Sequence, residues 1–167
     1  PAFSRLYTIS AALFIFFCPA LKAELSVPIE ITRVTEPIKL DGLSFELAWQ
    51  LVEPWSAFQF VPNNGEPATE RTEFLAAYDT DYIYLALRAF DSDPSGIRAN
   101  TLYRDRLSGD DHFEFLLDTF NNNETAALFT TTPAGIRKDS EISNDASGGG
   151  LTSGGWINSD YNTYWDV

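Results

Sequence analysis

The sequence predicts an all-β chain, an antiparallel β-sandwich of jelly-roll-like type. Three observations carry this expectation. Apolar and polar residues alternate through several short stretches, the period-two signature of half-buried strands. Turn-forming residues interrupt those stretches roughly every ten residues, the spacing of sandwich strands. Helical character is confined to one stretch of about two turns.

The elements follow in order. "IEITRV" (Ile29–Val34) alternates and reads as a strand, and Asp41-Gly42 is a turn signal. "SFELAWQL" (Ser44–Leu51) is the helical candidate, with Ser44 placed to cap it. After the loop "NNGEP", "RTEFLAAY" (Arg71–Tyr78) and "YIYLALRAFD" (Tyr82–Asp91) form a hairpin closed by Asp79-Thr80-Asp81. In the second strand, Ile83, Leu85, Leu87 and Ala89 share one face, which the sequence assigns to the core. Tyr82, Tyr84, Ala86, Arg88 and Phe90 share the other. "HFEFLLD" (His112–Asp118) alternates again, "NNNE" turns it, and "TAALFTTT" (Thr125–Thr132) is the next strand. "PAG" turns the chain before "IRKDSEI", and a polar, Gly-rich stretch, "SNDASGGGLTSGG", follows. "YNTYWDV" reads as the start of another strand, so the sandwich is expected to be incomplete at its C-terminal end.

Residues 1–23 differ from the rest. A basic Arg5 precedes an apolar run from Ile9 to Leu21, and the segment closes on Leu21-Lys22-Ala23. This is the order of parts in a secretory signal peptide, and the run is short for a membrane span and contains Pro19. Residues 24–167 would then form the exported domain, periplasmic, outer-membrane-associated or secreted. Cys18, the single cysteine, lies inside the signal segment, so neither a disulfide framework nor a thiolate metal site is available to that domain.

The chain carries a formal charge of −13 and has 44% hydrophobic and 14% aromatic residues. That composition supplies a core. It argues against a nucleic-acid partner, which needs clustered Lys and Arg, and against an electrostatic grip on anionic lipid. An acidic surface suits a neutral ligand, a cation or simple solubility.

Few constellations for catalysis are present. His112 is the only histidine and no Gly-x-Ser-x-Gly turn occurs, so a serine triad lacks its context. Haem ligation by His and Met is excluded because the chain has no methionine. Carboxylates are plentiful, but glycoside hydrolysis needs two of them across a cleft, a spacing that sequence does not display. Asp91, Asp93, Asp110 and Asp111 are candidate hard-oxygen ligands for a structural calcium; the same residues also serve as ordinary turn formers. Among the tryptophans, Trp49 sits between apolar neighbours and reads as core. Trp156 follows the Gly-rich stretch and is either an exposed platform for a sugar ring or a core plug.

"IKLDGLSFELAWQ", "ATERTEFLAAYDTDYIYLALRAFDSDP", "DDHFEFLLDTFNN" and "TTPAGIRKD" together resemble the carbohydrate-binding module family 9 domain. The likeness is to the version found at the N-terminus of bacterial proteins with an outer-membrane β-barrel behind it, and it spans about Ile29 to Val167. The resemblance implies an antiparallel sandwich that binds saccharides, of xylan or glucan type, often with structural calcium. It also implies that Glu114 contacts ligand. Three positions depart from the pattern: Ser108 stands where a clamp tryptophan would be, and Leu128 and Thr130 stand near polar ligand contacts.

The expected function is therefore an exported glycan-binding module, part of a larger envelope protein involved in glycan binding or breakdown. Glu114, Arg88 and Trp156 are its candidate sugar contacts. On its strand Glu114 points away from Phe113 and Phe115, and Arg88 is a candidate cross-strand neighbour. Two alternatives stand beside it: a structural or docking domain for an outer-membrane barrel, without ligand, and a fragment of a glycoside hydrolase. The export reading predicts cleavage after Ala23. Mass spectrometry of the exported protein is expected to find Glu24 at its N-terminus, and a mature chain that keeps residues 1–23 would contradict it.

Overall fold

The computed structural model describes residues 30–107, 109–143 and 156–167. The expected signal segment, residues 1–23, lies outside them, as does most of the Gly-rich stretch. Among the described residues the chain is almost entirely strand and loop. The elements are β1 (Thr32–Arg33), α1 (Leu47–Gln50), β2 (Trp55–Ser56), β3 (Thr72–Tyr78), β4 (Ile83–Ala89), β5 (Phe113–Leu117), β6 (Ala126–Thr131), β7 (Arg137–Ile142) and β8 (Ile157–Asn158).

They make two sheets. In the first, β3 is the axis. β4 pairs antiparallel along its whole length, from Thr72↔Ala89 to Tyr78↔Ile83. The opposite edge of β3 is shared by two short strands, β2 antiparallel at Phe74 and Glu73 and β1 parallel at Ala77 and Tyr78. The second sheet is an antiparallel run β5-β6-β7-β8.

Turn chemistry fixes the hairpins. Asp79 closes the β3–β4 connection: its Oδ1 accepts the amides of Asp81 and Tyr82, and its Oδ2 accepts the Tyr84 hydroxyl. Between β5 and β6, Asn121 and Asn123 adopt left-handed backbone at φ 52° and 57°, a region that Asn tolerates better than most residues. Asp118 accepts the amides of Phe120, Asn122 and Asn123 from the same turn. "NNNE" is thus a turn built on one carboxylate.

The cover of the first sheet differs from the sequence expectation. Leu75 and Ala77 on β3, with Tyr84 and Ala86 opposite them on β4, pack against Val34, Ile38, Ala48, Trp49 and Val52. The face of β4 expected to look outward is therefore the one covered by the segment around α1, while Ile83 and Leu87 on the supposed core face are exposed. Arg88 shares the covered face and reaches back into it. α1 is also shorter than expected and starts at Glu46 without a side-chain cap. Ser44 has another role: its hydroxyl and carbonyl oxygens accept from Arg88.

The second sheet also has two unlike faces. Phe113, Phe115 and Phe129 lie on one, where Phe115 and Phe129 stack with centroids 5.0 Å apart. Phe113 meets Phe74 of the first sheet at 5.7 Å. The last residues do not form the expected strand. Residues 161–167 cross this aromatic face as irregular chain, and Trp165 sets its edge against Phe115 and Phe129. The other face carries Glu114, Leu116, Leu128, Thr130, Lys138 and Ser140 in register.

Burial separates structural leucines from surface ones. Leu75 is fully buried, so Leu75→Ala loses its transfer energy and leaves a cavity, at a cost of about 2–5 kcal/mol. Leu47→Ala, on the exposed side of α1, is expected to change stability by less than about 0.5 kcal/mol. Urea denaturation of both variants measures the contrast.

Candidate functional site

The candidate site is the row that β5, β6 and β7 place side by side: Glu114, Thr130 and Lys138 occupy directly opposed positions on the face away from the stacked phenylalanines. β5 alternates, so Phe113 and Phe115 turn to the aromatic side and Glu114 turns away from it, as its strand position requires. The Glu114 side chain is 47% exposed. Its Oε1 accepts the Thr130 hydroxyl at 3.0 Å and faces His112 Nε2 at 3.9 Å. Oε2 has no protein partner among the described residues.

His112 is oriented by its other nitrogen. Nδ1 lies 3.1 Å from the Asp110 carbonyl oxygen, which only accepts, so Nδ1 carries the proton. Nε2 is then an acceptor in the neutral ring and a donor toward Glu114 in the protonated one. The row offers a carboxylate oxygen, an imidazole nitrogen and an ammonium, with exposed Leu116 as the next outward position on β5. Such a set can bind hydroxyl groups. Thr130, read from sequence as a departure from a ligand contact, is the residue that fixes the carboxylate.

The other candidate contacts are not brought here. Arg88 belongs to the first sheet, where its Nε and Nη2 donate to Ser44 and its Nη1 lies 3.6 Å from Glu73 Oε2. The expected Glu114–Arg88 pair is replaced by Glu73–Arg88, because register puts Arg88 opposite Glu73 on β3. Arg71 completes that group from the sequence neighbour side, and its hydrogen bonds hold the Glu73 carboxyl below the usual range. Trp156 is 5% exposed and packs with Leu128, Ile142 and Ile157, so it is a core plug and not a platform for a sugar ring. Trp49 is core, as expected.

The four aspartates considered for calcium serve the backbone. Asp91 Oδ1 accepts the Asp93 amide, and Asp93 Oδ1 accepts the amide and hydroxyl of Ser95 at the start of a 3-10 turn, Pro94–Gly96. Asp110 accepts the amides of Asn100 and Thr101, which hold its carboxyl below the ordinary range, and Asp111 accepts the Arg98 amide. Among the described residues no three carboxylate, imidazole or thiol groups converge on a position that would hold a metal ion.

A further polar centre was not legible in the sequence. Asp139 on β7 is 1% exposed, and its Oδ1 accepts from Arg104 Nη2 at 2.6 Å while its Oδ2 accepts the Thr163 amide at 2.6 Å. Arg104 also donates to Asn162. Two positions earlier on the same strand, Arg137 donates to the Trp165 carbonyl oxygen and to Asp166. Together these bonds fasten residues 162–166 over the phenylalanine face. Burial pushes the Asp139 carboxyl up, but the Thr163 amide and the Arg104 guanidinium outweigh it and hold the group below the usual range. The buried Trp165 Nε1–H meets no acceptor at normal hydrogen-bond geometry, yet its dipole adds to the same field.

No protein-family model, curated protein or solved structure matches this chain.

The Asp139 centre predicts an acid-labile fold. A carboxyl whose folded pKa is depressed contributes stability above its unfolded value, about 3.9, and loses it as the pH falls through the folded value. The melting temperature is expected to hold down to roughly pH 4.5 and to fall below about pH 4. Asp139→Asn is expected to be less stable at neutral pH, with a flatter acid limb. Melting curves of both proteins across that range test it.

Proposed function

We propose that this chain is a glycan-binding β domain of an exported envelope protein, similar to carbohydrate-binding module family 9, with Glu114 as its main ligand contact. The observation that carries the reading is the state of that carboxylate. One oxygen is fixed by the buried Thr130, and the other has no protein partner among the described residues on a side chain that is half exposed. A fixed carboxylate accepts hydrogen bonds from vicinal sugar hydroxyls with little ordering cost. His112 Nε2 stands beside it, Lys138 lies in the same row on the far side of Thr130, and Leu116 adds an apolar surface for the C–H side of a ring. Saccharides of xylan or glucan type are the ligands the reading favours.

A ligand-free structural or docking module is the second reading. It is favoured by the loss of two expected contacts to the interior, Trp156 to the core and Arg88 to Glu73 and Ser44.

Calorimetric titration with xylo- and cello-oligosaccharides distinguishes the two. The glycan reading expects binding by the parent, and a weakening of about tenfold to a hundredfold in Glu114→Gln, the loss of a hydrogen bond to a charged group. The melting temperature of Glu114→Gln is expected to change little, because the side chain is half exposed. A parent that binds neither series overturns this reading in favour of the structural one.

A further inference from the structure

β4 is the outer strand of the first sheet, and its free edge is unusually well formed. The Phe90 amide donates to Arg71, and the Tyr82 carbonyl accepts from Asp79. In an antiparallel ladder the residues that exchange bonds alternate. Tyr84, Ala86 and Arg88 therefore point their amides and carbonyls at β3. Ile83, Leu85, Leu87 and Ala89 point theirs away from it, and among the described residues no strand meets them. Four donors and four acceptors stand in a row on one edge.

Edge strands are ordinarily blunted by proline, lysine, a bulge, an inward charge or a covering loop. β4 has neither proline nor lysine, and it pairs with β3 through seven successive positions without a bulge. Its one charge, Arg88, is turned into the covered face and bound to Ser44 and Glu73. Ile83 and Leu87 are 56% and 39% exposed, so among the described residues no loop closes over their side chains. The edge has the form of a template for another strand.

Charge decides what that strand is. Asp79 and Asp81 precede β4, and Asp91 and Asp93 follow it. If a second copy paired antiparallel about Ala86, Asp81 would face Asp91 of the other copy, and Asp79 would face Asp93. Parallel in-register pairing would set each aspartate beside its own duplicate. Both modes place like charges opposite one another, which destabilises a sheet. We propose that the free edge of β4 docks an extended segment of another protein, apolar at alternate positions and basic at both ends. The main-chain bonds supply affinity, Ile83, Leu85 and Leu87 read the apolar positions, and the aspartates at either end select Lys or Arg.

The test uses the full chain and fluorescein-labelled nonapeptides followed by anisotropy. The probe is Lys-Thr-Val-Thr-Val-Thr-Val-Thr-Lys. Its comparison peptides carry Glu at both ends, or Pro in place of the central Val. The basic-ended probe is expected to bind at least about tenfold more tightly than either, and more weakly as salt is raised. Leu85→Pro removes an outward amide that β3 does not use, and is expected to weaken binding by about tenfold or more. Asp81→Lys with Asp91→Lys is the second variant. It keeps the edge amides and is expected to reverse the preference toward the Glu-ended peptide. Equal binding of basic- and acid-ended probes, or binding unchanged in both variants, overturns the proposal. So does self-association of the parent in sedimentation that Leu85→Pro abolishes, since the occupant would then be a second copy.

Discussion

The contact between Phe74 and Phe113 is the constraint on which the arrangement of the domain rests. It joins a strand of the first sheet to a strand of the second, and rings continue from it in both directions. Trp55 lies 5.3 Å from Phe74 on one side, and Phe115, Phe129 and Trp165 carry the run onward on the other. Each tilted, stacked or edge-on pair contributes about 0.5–1.5 kcal/mol beyond the area it buries. Because the rings belong to β2, β3, β5, β6 and the last residues, no one of these elements can shift without opening a ring contact on another. Glu114 owes its outward position to this run, since the two phenylalanines beside it are held inward.

Much of the fold was legible because it is locally encoded. The β3–β4 hairpin follows from alternation and from a carboxylate that can accept the amides of its own turn. The β5–β6 turn follows from asparagines that tolerate left-handed backbone. What was not legible depends on residues far apart in sequence. Alternation in β4 shows that its faces differ, but not which one is covered, and the cover comes from residues 34–52. The destination of Arg88 was hidden for the same reason, as Ser44 lies 44 positions away. Trp156 follows a Gly-rich stretch, and composition there says loop, whereas register puts Ile157 beside Ile142 and draws the tryptophan into the core. At the candidate site, the side-chain direction of Glu114 was legible from its strand. The hydroxyl that holds it was not, since Thr130 is 16 residues away.

The acidic composition finds a physical use in the loops. Asp79, Asp91, Asp93, Asp110, Asp111 and Asp118 each accept at least one backbone amide. Asp79, Asp91, Asp93 and Asp118 accept amides two to five residues ahead and close tight turns, whereas Asp110 and Asp111 tie back the earlier chain at residues 98–101. Their charge then has a second effect, an excess of negative potential at the ends of strands.

β3 is covered on both sides, and the two residues that follow its central Leu75 are small. Ala76 faces one way at 2% exposure and Ala77 faces the other at 0%. Such a pair behaves as a shim: it sets how near the α1 segment can approach on one side and how the opposite side closes. A longer side chain at either position would push its cover outward, and a glycine would let it sag. The strand that organises the first sheet therefore has little freedom to vary at these two positions, and drift in core volume on the Ala77 side falls to the larger side chains packed there, such as Val52 and Tyr84.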